Sequence, residues 1–119
     1  WKEGETKVKT FFGGNFIKEE MLSEAGIYHP IKLEYYKRIN EDEILKENKA
    51  KFGICIIKTE YKTKEKIIEE KEIKYLTNDE KRVNQVLNML KENYVTPIGL
   101  EDVICDYAKE IMIWKVLVN

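Results

Sequence analysis

The sequence has few of the residues from which small proteins build disulfide-linked or metal-bound cores. Cys55 and Cys105 are the only cysteines among 119 residues, and His29 is the only histidine. Two cysteines and one histidine argue against a disulfide framework and against a zinc site, because both need more cysteines or histidines at close spacing. We therefore expect no metal and no cofactor. Both cysteines lie in apolar stretches, and since free cysteine behaves as a small hydrophobe, we expect both in the core.

The chain also lacks an excess of charge and a long apolar run. It carries 21 basic and 22 acidic residues, for a formal net charge of −1, so the bulk field that attracts nucleic acid or anionic lipid is missing. No segment reaches the ~18–20 uninterrupted apolar residues of a membrane helix. The chain does not open with a signal-like segment. We expect a cytoplasmic protein that contacts neither a membrane nor nucleic acid.

The sequence does contain the alternation of apolar and polar residues that is typical of β-strands. It predicts a strand over residues 31–39. β-Prone residues predict further strands over residues 8–12 and 52–61, and the near-continuous apolar centre of the latter is typical of a middle strand. Residues 66–75 are the predicted partner of residues 52–61 in a hairpin. Gly13-Gly14 is expected to end the first strand, because paired glycines favour a turn. Asn15 then caps a short predicted helix over residues 16–25, which Gly26 ends.

Two further helices are predicted in the C-terminal half. Thr77 and Glu80 match a capping box, which starts a predicted helix. Asn93 is expected to end this helix in a left-handed conformation. The apolar stripe of this helix consists of Val83, Val86, Leu87, Leu90 and Tyr94. Thr96-Pro97 is typical of a helix start and predicts a second helix through residue 110. Its stripe consists of Leu100, Val103, Ile104, Tyr107 and Ile111.

The segment over residues 111–118 is apolar at seven of its eight positions. It is too short to cross a membrane and too apolar to remain uncovered. The first interpretation is a terminal strand added to the sheet. The second is an exposed segment at which Ile113, Trp114 and Val116 contact a partner or, in a homodimer, a second copy of the chain.

These elements together predict a single α+β domain over residues 1–119. An antiparallel sheet of three to four strands is expected to carry the two C-terminal-half helices on one face, with Ile54 and Ile56 beneath them. A short N-terminal helix completes the fold. Residues 1–30 form an N-terminal extension that contains this helix, and residues 31–118 form the core.

The residues that could carry chemistry do not form a catalytic pattern. His29 has no nucleophile in its local context, and Gly13-Gly14-Asn15 lacks the spacing of a phosphate-binding loop. The most distinctive surface feature is the acidic ridge, which we define as four carboxylates expected on the exposed face of the second helix: Glu101, Asp102, Asp106 and Glu110. This ridge is either a solvated helix face or a surface that docks a basic partner.

The sequence therefore favours a small non-catalytic protein-binding module of regulatory or adaptor type, with a protein partner. One alternative is an inhibitor of a nucleic-acid-handling defence enzyme, encoded by a phage or a mobile element and acting through the acidic ridge. The other alternative is an enzyme that acts on a small molecule, for which the sequence offers no convergent acid, base and nucleophile.

Residues 52–61, 71–76 and 95–104 resemble a family of short uncharacterised proteins from clostridia and related Firmicutes. The likeness covers about Leu33 to Tyr107. It is most specific at the helix corner, where Val95-Thr96-Pro97 is followed by Leu100 and by Asp102-Val103. The resemblance implies a bacterial cytoplasmic protein, chromosomal or phage-borne, and it assigns no catalytic or binding residue.

Overall fold

The protein combines an antiparallel sheet with two helices. The computed structural model describes residues 7–18, 29–40 and 50–118, with Lys7 and residues 110–118 described as backbone only. The strands are β1 (Lys7–Ile17), β2 (Ile31–Asn40), β3 (Phe52–Tyr61) and β4 (Lys66–Thr77), in the spatial order β1-β2-β3-β4. The helices are α1 (Glu80–Glu92) and α2 (Leu100–Val118). The predicted α+β class, the antiparallel sheet and the two C-terminal-half helices are confirmed.

Strand β3 is the most deeply buried strand. Ile54, Cys55 and Ile56 have no exposed surface although they alternate between the two faces of the sheet. This double burial explains the nearly continuous apolar run, which is typical of a middle strand. The turn to β4 is closed by a hydrogen bond of 2.9 Å from the Lys62 amide to the Glu65 carbonyl, as expected for the predicted hairpin.

The prediction of a short N-terminal helix is wrong where the structure describes it. Strand β1 continues through Gly13-Gly14, and Asn15, Phe16 and Ile17 pair with β2. The rest of the predicted helix, residues 19–25, lies outside the described residues. The two glycines do not end the strand. They instead accommodate a β-bulge between Phe11 and Gly13, which glycine tolerates in a paired strand.

Helix α1 covers the inner face of the sheet, and its apolar stripe forms the core with the strands beneath. Val83, Leu87 and Leu90 are fully buried and Val86 is 2% exposed, which confirms these four members of the predicted stripe. The inclusion of Tyr94 is wrong, because this residue lies beyond the end of α1 and is 47% exposed. Leu100 of α2 is also fully buried. The partly buried residues that pack against this core include Val103, Ile104 and Tyr107.

The helix boundaries differ from the predicted ones by a few residues. Asp79, and not Thr77, caps α1 by accepting the Lys81 amide at 3.0 Å. The left-handed residue after α1 is Tyr94 (φ 53°), one position beyond Asn93. Boundary shifts of this size are common because side chains compete locally for the free amides of a first turn.

The corner between the helices is a turn, so α2 starts later than predicted. The Gly99 amide donates to the Thr96 carbonyl at 3.1 Å, and the Leu100 amide donates to the Pro97 carbonyl at 3.3 Å. Thr96-Pro97 therefore begins a turn that leads into the helix, and α2 itself begins at Leu100.

The prediction of a terminal strand is wrong, because α2 continues without a break through Val118. No glycine or proline interrupts residues 100–118, so each added residue extends the existing helix by one hydrogen bond. The side chains of Glu110, Ile113, Trp114 and Val116 lie outside the described residues. Among the described helices, none is long and apolar enough to span a membrane.

Two hydrogen bonds from the sheet hold the C-terminal end of α1. The Asn15 side chain of β1 donates to the Lys91 carbonyl at 2.7 Å. The Tyr35 hydroxyl of β2 donates to the Val95 carbonyl at 2.9 Å, and burial raises the pKa of this phenol to about 12. Carbonyls at a helix end lack helical partners, so these contacts fix β1 and β2 against the helix.

Candidate functional site on the outer face of the sheet

The outer face of the sheet, opposite α1, carries the features that are not explained by the core. Successive strand residues point to opposite faces, and the pairing register assigns the following side chains to the outer face: Lys9, Phe11, Phe16, Lys32, Glu34, Tyr36, Arg38, Cys55, Ile57, Tyr61, Ile68, Glu70 and Glu72. Phe11 is 57% exposed, Phe16 55% and Ile68 63%. Three large apolar side chains are thus open to solvent on a single face.

The bulge in β1 places both phenylalanines on this face. Residues five positions apart in a regular strand point to opposite sides, but the extra residue Phe12 restores the same orientation for Phe11 and Phe16. The Phe11 ring lies edge-on against Tyr36 with centroids 5.6 Å apart. The Phe16 ring lies 6.4 Å from that of Tyr61.

A shallow groove of about 410 Å³ separates the two phenylalanines, and we call it the aromatic groove. Gly14 lies in its floor, next to Lys32 and Glu34, whose charged groups are 3.6 Å apart. A Cβ atom at Gly14 would lie 2.8 Å from the Leu33 carbonyl oxygen. The strand pairing therefore requires glycine at this position, and the end of the Phe11 ring lies 3.6 Å from where that Cβ atom would be.

The other end of the outer face holds a polar cluster, which we define as Lys9, Arg38, Cys55, Glu70 and Glu72. Arg38 is only 1% exposed and lies opposite Gly53 in the β2–β3 pair. Position 53 has no room for a side chain, because a Cβ atom there would collide with the Ile73 and Lys74 carbonyl oxygens of β4. Its Nη1 donates to Glu72 at 2.9 Å. The Arg38 Nη2 and the Glu72 Oε2 are buried atoms without a hydrogen-bond partner in the described part of the chain.

The Arg38 side chain is also held by Asn40, which is itself buried. Nε of Arg38 donates to the Asn40 side-chain oxygen at 2.6 Å. The Asn40 amide group in turn donates to the Ala50 and Lys74 carbonyls at 3.2 and 2.8 Å. Arg38 is therefore locked in one geometry, as a buried charge needs to be.

The polar cluster could bring three ligand atoms to a metal ion, but its charges do not fit one. Donor atoms of Cys55, Glu70 and Glu72 lie within 4.8 Å of one another. However, Lys9 contacts Glu70 at 3.0 Å and Arg38 contacts Glu72 at 2.9 Å, so two cations already balance the two carboxylates. A metal ion would have to displace them and deprotonate the thiol.

The pKa shifts agree with a neutral, ion-paired cluster. Burial, and then the hydrogen bond to Glu70, raises the pKa of Cys55 to about 12. The bond from Lys9 lowers the pKa of Glu70, and the bond to Glu70 raises that of Lys9. Cys55 is consequently a protonated thiol without access to solvent, which makes it a poor nucleophile.

The residues considered from the sequence do not lie at this site. Glu101, Asp102 and Asp106 are exposed on α2, and Glu101 pairs with Lys71 at 2.8 Å; the fourth member of the acidic ridge, Glu110, lies outside the described side chains. Cys105 is exposed on the same helix, so its predicted burial is wrong. A helix presents only one face to its core, and position 105 follows the buried stripe by one residue.

His29 has a partner that the sequence did not indicate. Its Nε2 lies 2.7 Å from a carboxylate oxygen of Glu60. Glu60 belongs to the inner-face side of β3, whereas Cys55 faces the outer side, so the histidine and the buried thiol are on opposite faces.

Gly13-Gly14-Asn15 lies within a strand and not at a helix start, which removes the basis for an anion-binding loop there.

Sequence reasoning missed the outer-face site because the bulge and the register create it. Alternation predicted which residues of β2 and β3 share a face, but Phe11 and Phe16 were placed in different elements. One signal was present: Arg38 is one of two arginines in a lysine-rich chain, and arginine is the usual residue for a buried ion pair.

The fold and the outer face together define an α+β protein whose four-stranded antiparallel sheet is covered by helix α1 on one side and exposes aromatic side chains on the other. Comparison with protein families matches residues 16–110 to the Family of unknown function (DUF6514). The match covers well over half of the chain, so the chain belongs to this family. It extends beyond the region from Leu33 to Tyr107 in which the resemblance was seen. No curated protein and no solved structure matches the chain.

Proposed function

We propose that this chain is a small non-catalytic protein-binding module and that the outer face of the sheet is its binding surface. The observation that carries the proposal is the exposure of Phe11, Phe16 and Ile68 on one face, each more than half accessible. Phe11 and Phe16 flank the aromatic groove, whereas Ile68 lies on the opposite edge strand, with Lys32 and Thr59 between it and Phe16 in the register. Exposed apolar surface rimmed by charge is typical of protein-binding sites, and aromatic residues are enriched at the centres of such sites.

The remaining side chains of this face suit recognition better than catalysis. Lys32 and Glu34 beside the aromatic groove form an ion pair at 3.6 Å, and Lys66 lies 5.7 Å from the Tyr61 ring centroid. Amphipathic side chains of this kind form the polar rim of an interface. The buried thiol of Cys55 donates to the Glu70 carboxylate at 3.4 Å, and its pKa, raised by burial to about 12, keeps it protonated.

The acidic ridge supports a second candidate function, namely inhibition of a basic, nucleic-acid-handling enzyme. Asp102 and Asp106 are exposed on α2, where they can meet a basic surface and speed its association. The two proposals place binding on different surfaces, so variants of each surface can separate them.

The test compares proteins captured from extract of the source cell by three tagged forms of the chain. Phe11→Ser combined with Phe16→Ser alters the outer face. Ile98→Ser is the matched control, because Ile98 is 83% exposed at the helix corner. Circular dichroism verifies that each form is folded.

Partners that the control retains and the double variant loses support the proposal, once binding is repeated with the purified partner. Full retention by the double variant contradicts it. If Asp102→Lys combined with Asp106→Lys abolishes capture instead, the acidic ridge is the binding surface and the second candidate function replaces the first.

A further inference from the structure

Strand β1 is an open edge of the sheet. It pairs with β2 only, among the strands that the structure describes. The opposite edge, β4, carries charges at six of its twelve positions, which is how natural sheets discourage edge pairing. Residues 10–17 of β1 carry no charge, and Lys9 is already paired with Glu70 at 3.0 Å. Of the two edges, β1 is therefore the one open to pairing.

The hydrogen-bond pattern of β2 fixes which backbone groups of β1 point outward. The Tyr61 amide donates to the Pro30 carbonyl at 3.0 Å, so every second residue after Pro30 in β2 bonds to β3. The residues between them bond to β1, and Asn15 is one of their partners there. The amides and carbonyls of the residues on either side of it, Gly14 and Phe16, therefore point away from the sheet.

The second half of β1 is complementary to its own reverse. When two copies pair antiparallel about Asn15, Gly14 lies opposite Phe16 of the second copy. Gly13 lies opposite Ile17 of the second copy, and the symmetry repeats both contacts. Gly14 and Phe16 also have the outward backbone groups that a hydrogen-bonded pair requires. Each large side chain thus faces a glycine, and an aromatic or branched residue opposite a glycine stabilises that part of a strand.

A side chain of its own copy borders each glycine and completes these contacts. On the outer face, the end of the Phe11 ring lies 3.6 Å from where a Cβ atom of Gly14 would be, so Phe16 of the second copy meets that ring. On the inner face, a Cβ atom at Gly13 would lie 2.9 Å from Cδ of Lys91. The isoleucine of the second copy therefore meets the aliphatic stem of this lysine.

Other registers of the same pairing lose this complementarity. The smallest shifts that keep the two faces aligned place Gly14 opposite itself or opposite Lys18 of the second copy. In the register centred on Asn15, Lys18 lies opposite Phe12, so no like charges meet.

Edge protection also favours a second copy over an unrelated strand. A partner that is bound only part of the time would leave the uncharged β1 edge open between encounters. A second copy closes both open edges in one step and leaves only the two charged β4 edges.

We propose that two copies of the chain pair antiparallel through β1 about a two-fold axis at Asn15, which joins their four-stranded sheets into one continuous sheet. This inference goes beyond the proposed function, because it assigns the β1 edge to a second copy and joins the two outer faces into one surface. Phe11 and Phe16 of both copies then lie at the centre of that surface.

Proline variants of the two edges test the pairing, with the oligomeric state of the full chain measured by sedimentation velocity. Phe16→Pro removes an amide that points away from β2, so it blocks the second copy and costs no bond to β2. Ile68→Pro is the matched control, because the bond from the Lys62 amide to the Glu65 carbonyl sets a pattern in which the Ile68 amide points away from β3. We expect the parent chain and Ile68→Pro to be dimers at about 100 μM and Phe16→Pro to be a monomer. Circular dichroism verifies that each variant is folded.

Disulfide trapping tests the position of the axis without a proline. All variants carry Cys105→Ser, because Cys105 is exposed. Asn15→Cys places two thiols across the axis, where the Cα atoms of a non-hydrogen-bonded pair are ~4.5 Å apart, within reach of a disulfide. Thr10→Cys is the control, since about 33 Å of strand separates this position from its counterpart in the second copy. With oxidised glutathione as the oxidant, we expect a cross-linked dimer from Asn15→Cys and none from Thr10→Cys.

Hydrogen exchange followed by NMR gives a third measurement. A rising protein concentration should slow exchange at the Gly14 and Phe16 amides, because these amides become bonded in the dimer. The Ile68 amide on the opposite edge should exchange at an unchanged rate.

A parent chain that stays monomeric up to about 1 mM overturns the inference. A dimer that a folded Phe16→Pro variant leaves intact, equal cross-linking of the two cysteine variants, or concentration-dependent protection of the Ile68 amide does the same. If Phe16→Pro does not fold, the comparison of the cysteine variants decides. If the chain is monomeric while the Phe11 and Phe16 double variant still loses its partner from cell extract, the proposed function stands without this inference.

Discussion

The buried ion pair of the polar cluster allows a direct test of how the outer face is stabilised. Glu72→Leu removes the carboxylate that, among the described residues, pairs with the Arg38 guanidinium. The arginine is 1% exposed, so it cannot reach water without moving out of the sheet. We expect this single change to destabilise the protein more than replacement of both partners by apolar residues, because it leaves a buried charge uncompensated.

The expected magnitude follows from the contacts. Removal of one member of a buried ion pair costs about 3–5 kcal/mol, and since the Glu72 side chain is 31% exposed, water screens part of the site and a value near ~3 kcal/mol is expected. Adding Arg38→Met removes the stranded charge and leaves only the Asn40 oxygen without its donor, at a cost of about 1–3 kcal/mol. The double variant should therefore be more stable than Glu72→Leu alone.

Urea unfolding followed by circular dichroism measures these free energies, with both single variants and the double variant compared at equal m-values. The Arg38→Met single variant completes the double-mutant cycle. A double variant destabilised by the sum of the two single changes would refute the reasoning, because it would mean that the two side chains do not interact.

Three further predictions concern the core, the acidic ridge and the response to acid. Leu87→Ala should lower the free energy of unfolding by about 2–5 kcal/mol because Leu87 is fully buried, whereas Ile98→Ala should change it by less than ~0.5 kcal/mol; equal urea midpoints for the two variants would contradict the described core. Asp102→Lys combined with Asp106→Lys should leave the Tm nearly unchanged in a calorimetric scan, since both residues are exposed. In the capture assay, this double variant should retain the partners that bind through the outer face. The hydrogen bond to His29 lowers the pKa of Glu60 from 4.5, so the ionised Glu60 stabilises the protein above pH 4.5, and this stabilisation is lost as the pH falls through the lowered pKa. Glu60→Gln should therefore flatten the acid limb of a curve of stability against pH. An unchanged acid limb would show that the pair of His29 and Glu60 does not stabilise the fold.

Local sequence signals predicted most of the secondary structure but misplaced its connections. The bounds of β3 followed from its nearly continuous run of apolar and β-branched residues. The buried stripe of α1 from Val83 to Leu90 followed from helical periodicity. The double glycine was misinterpreted because its turn preference is weak compared with the pairing of β1 to β2. The terminal segment was misinterpreted because a short apolar run has no period that separates a strand from a helix.

The sequence by itself determined the fold class, the buried stripe and the scarcity of catalytic groups, because these depend on composition and on spacing along the chain. The tertiary structure alone decided the candidate site. Phe11 and Phe16 share a face only because a bulge shifts the register of β1, and Arg38 meets Glu72 only because β2, β3 and β4 are adjacent. Contacts between residues distant in sequence depend on strand order and register, and alternation within one strand does not specify either.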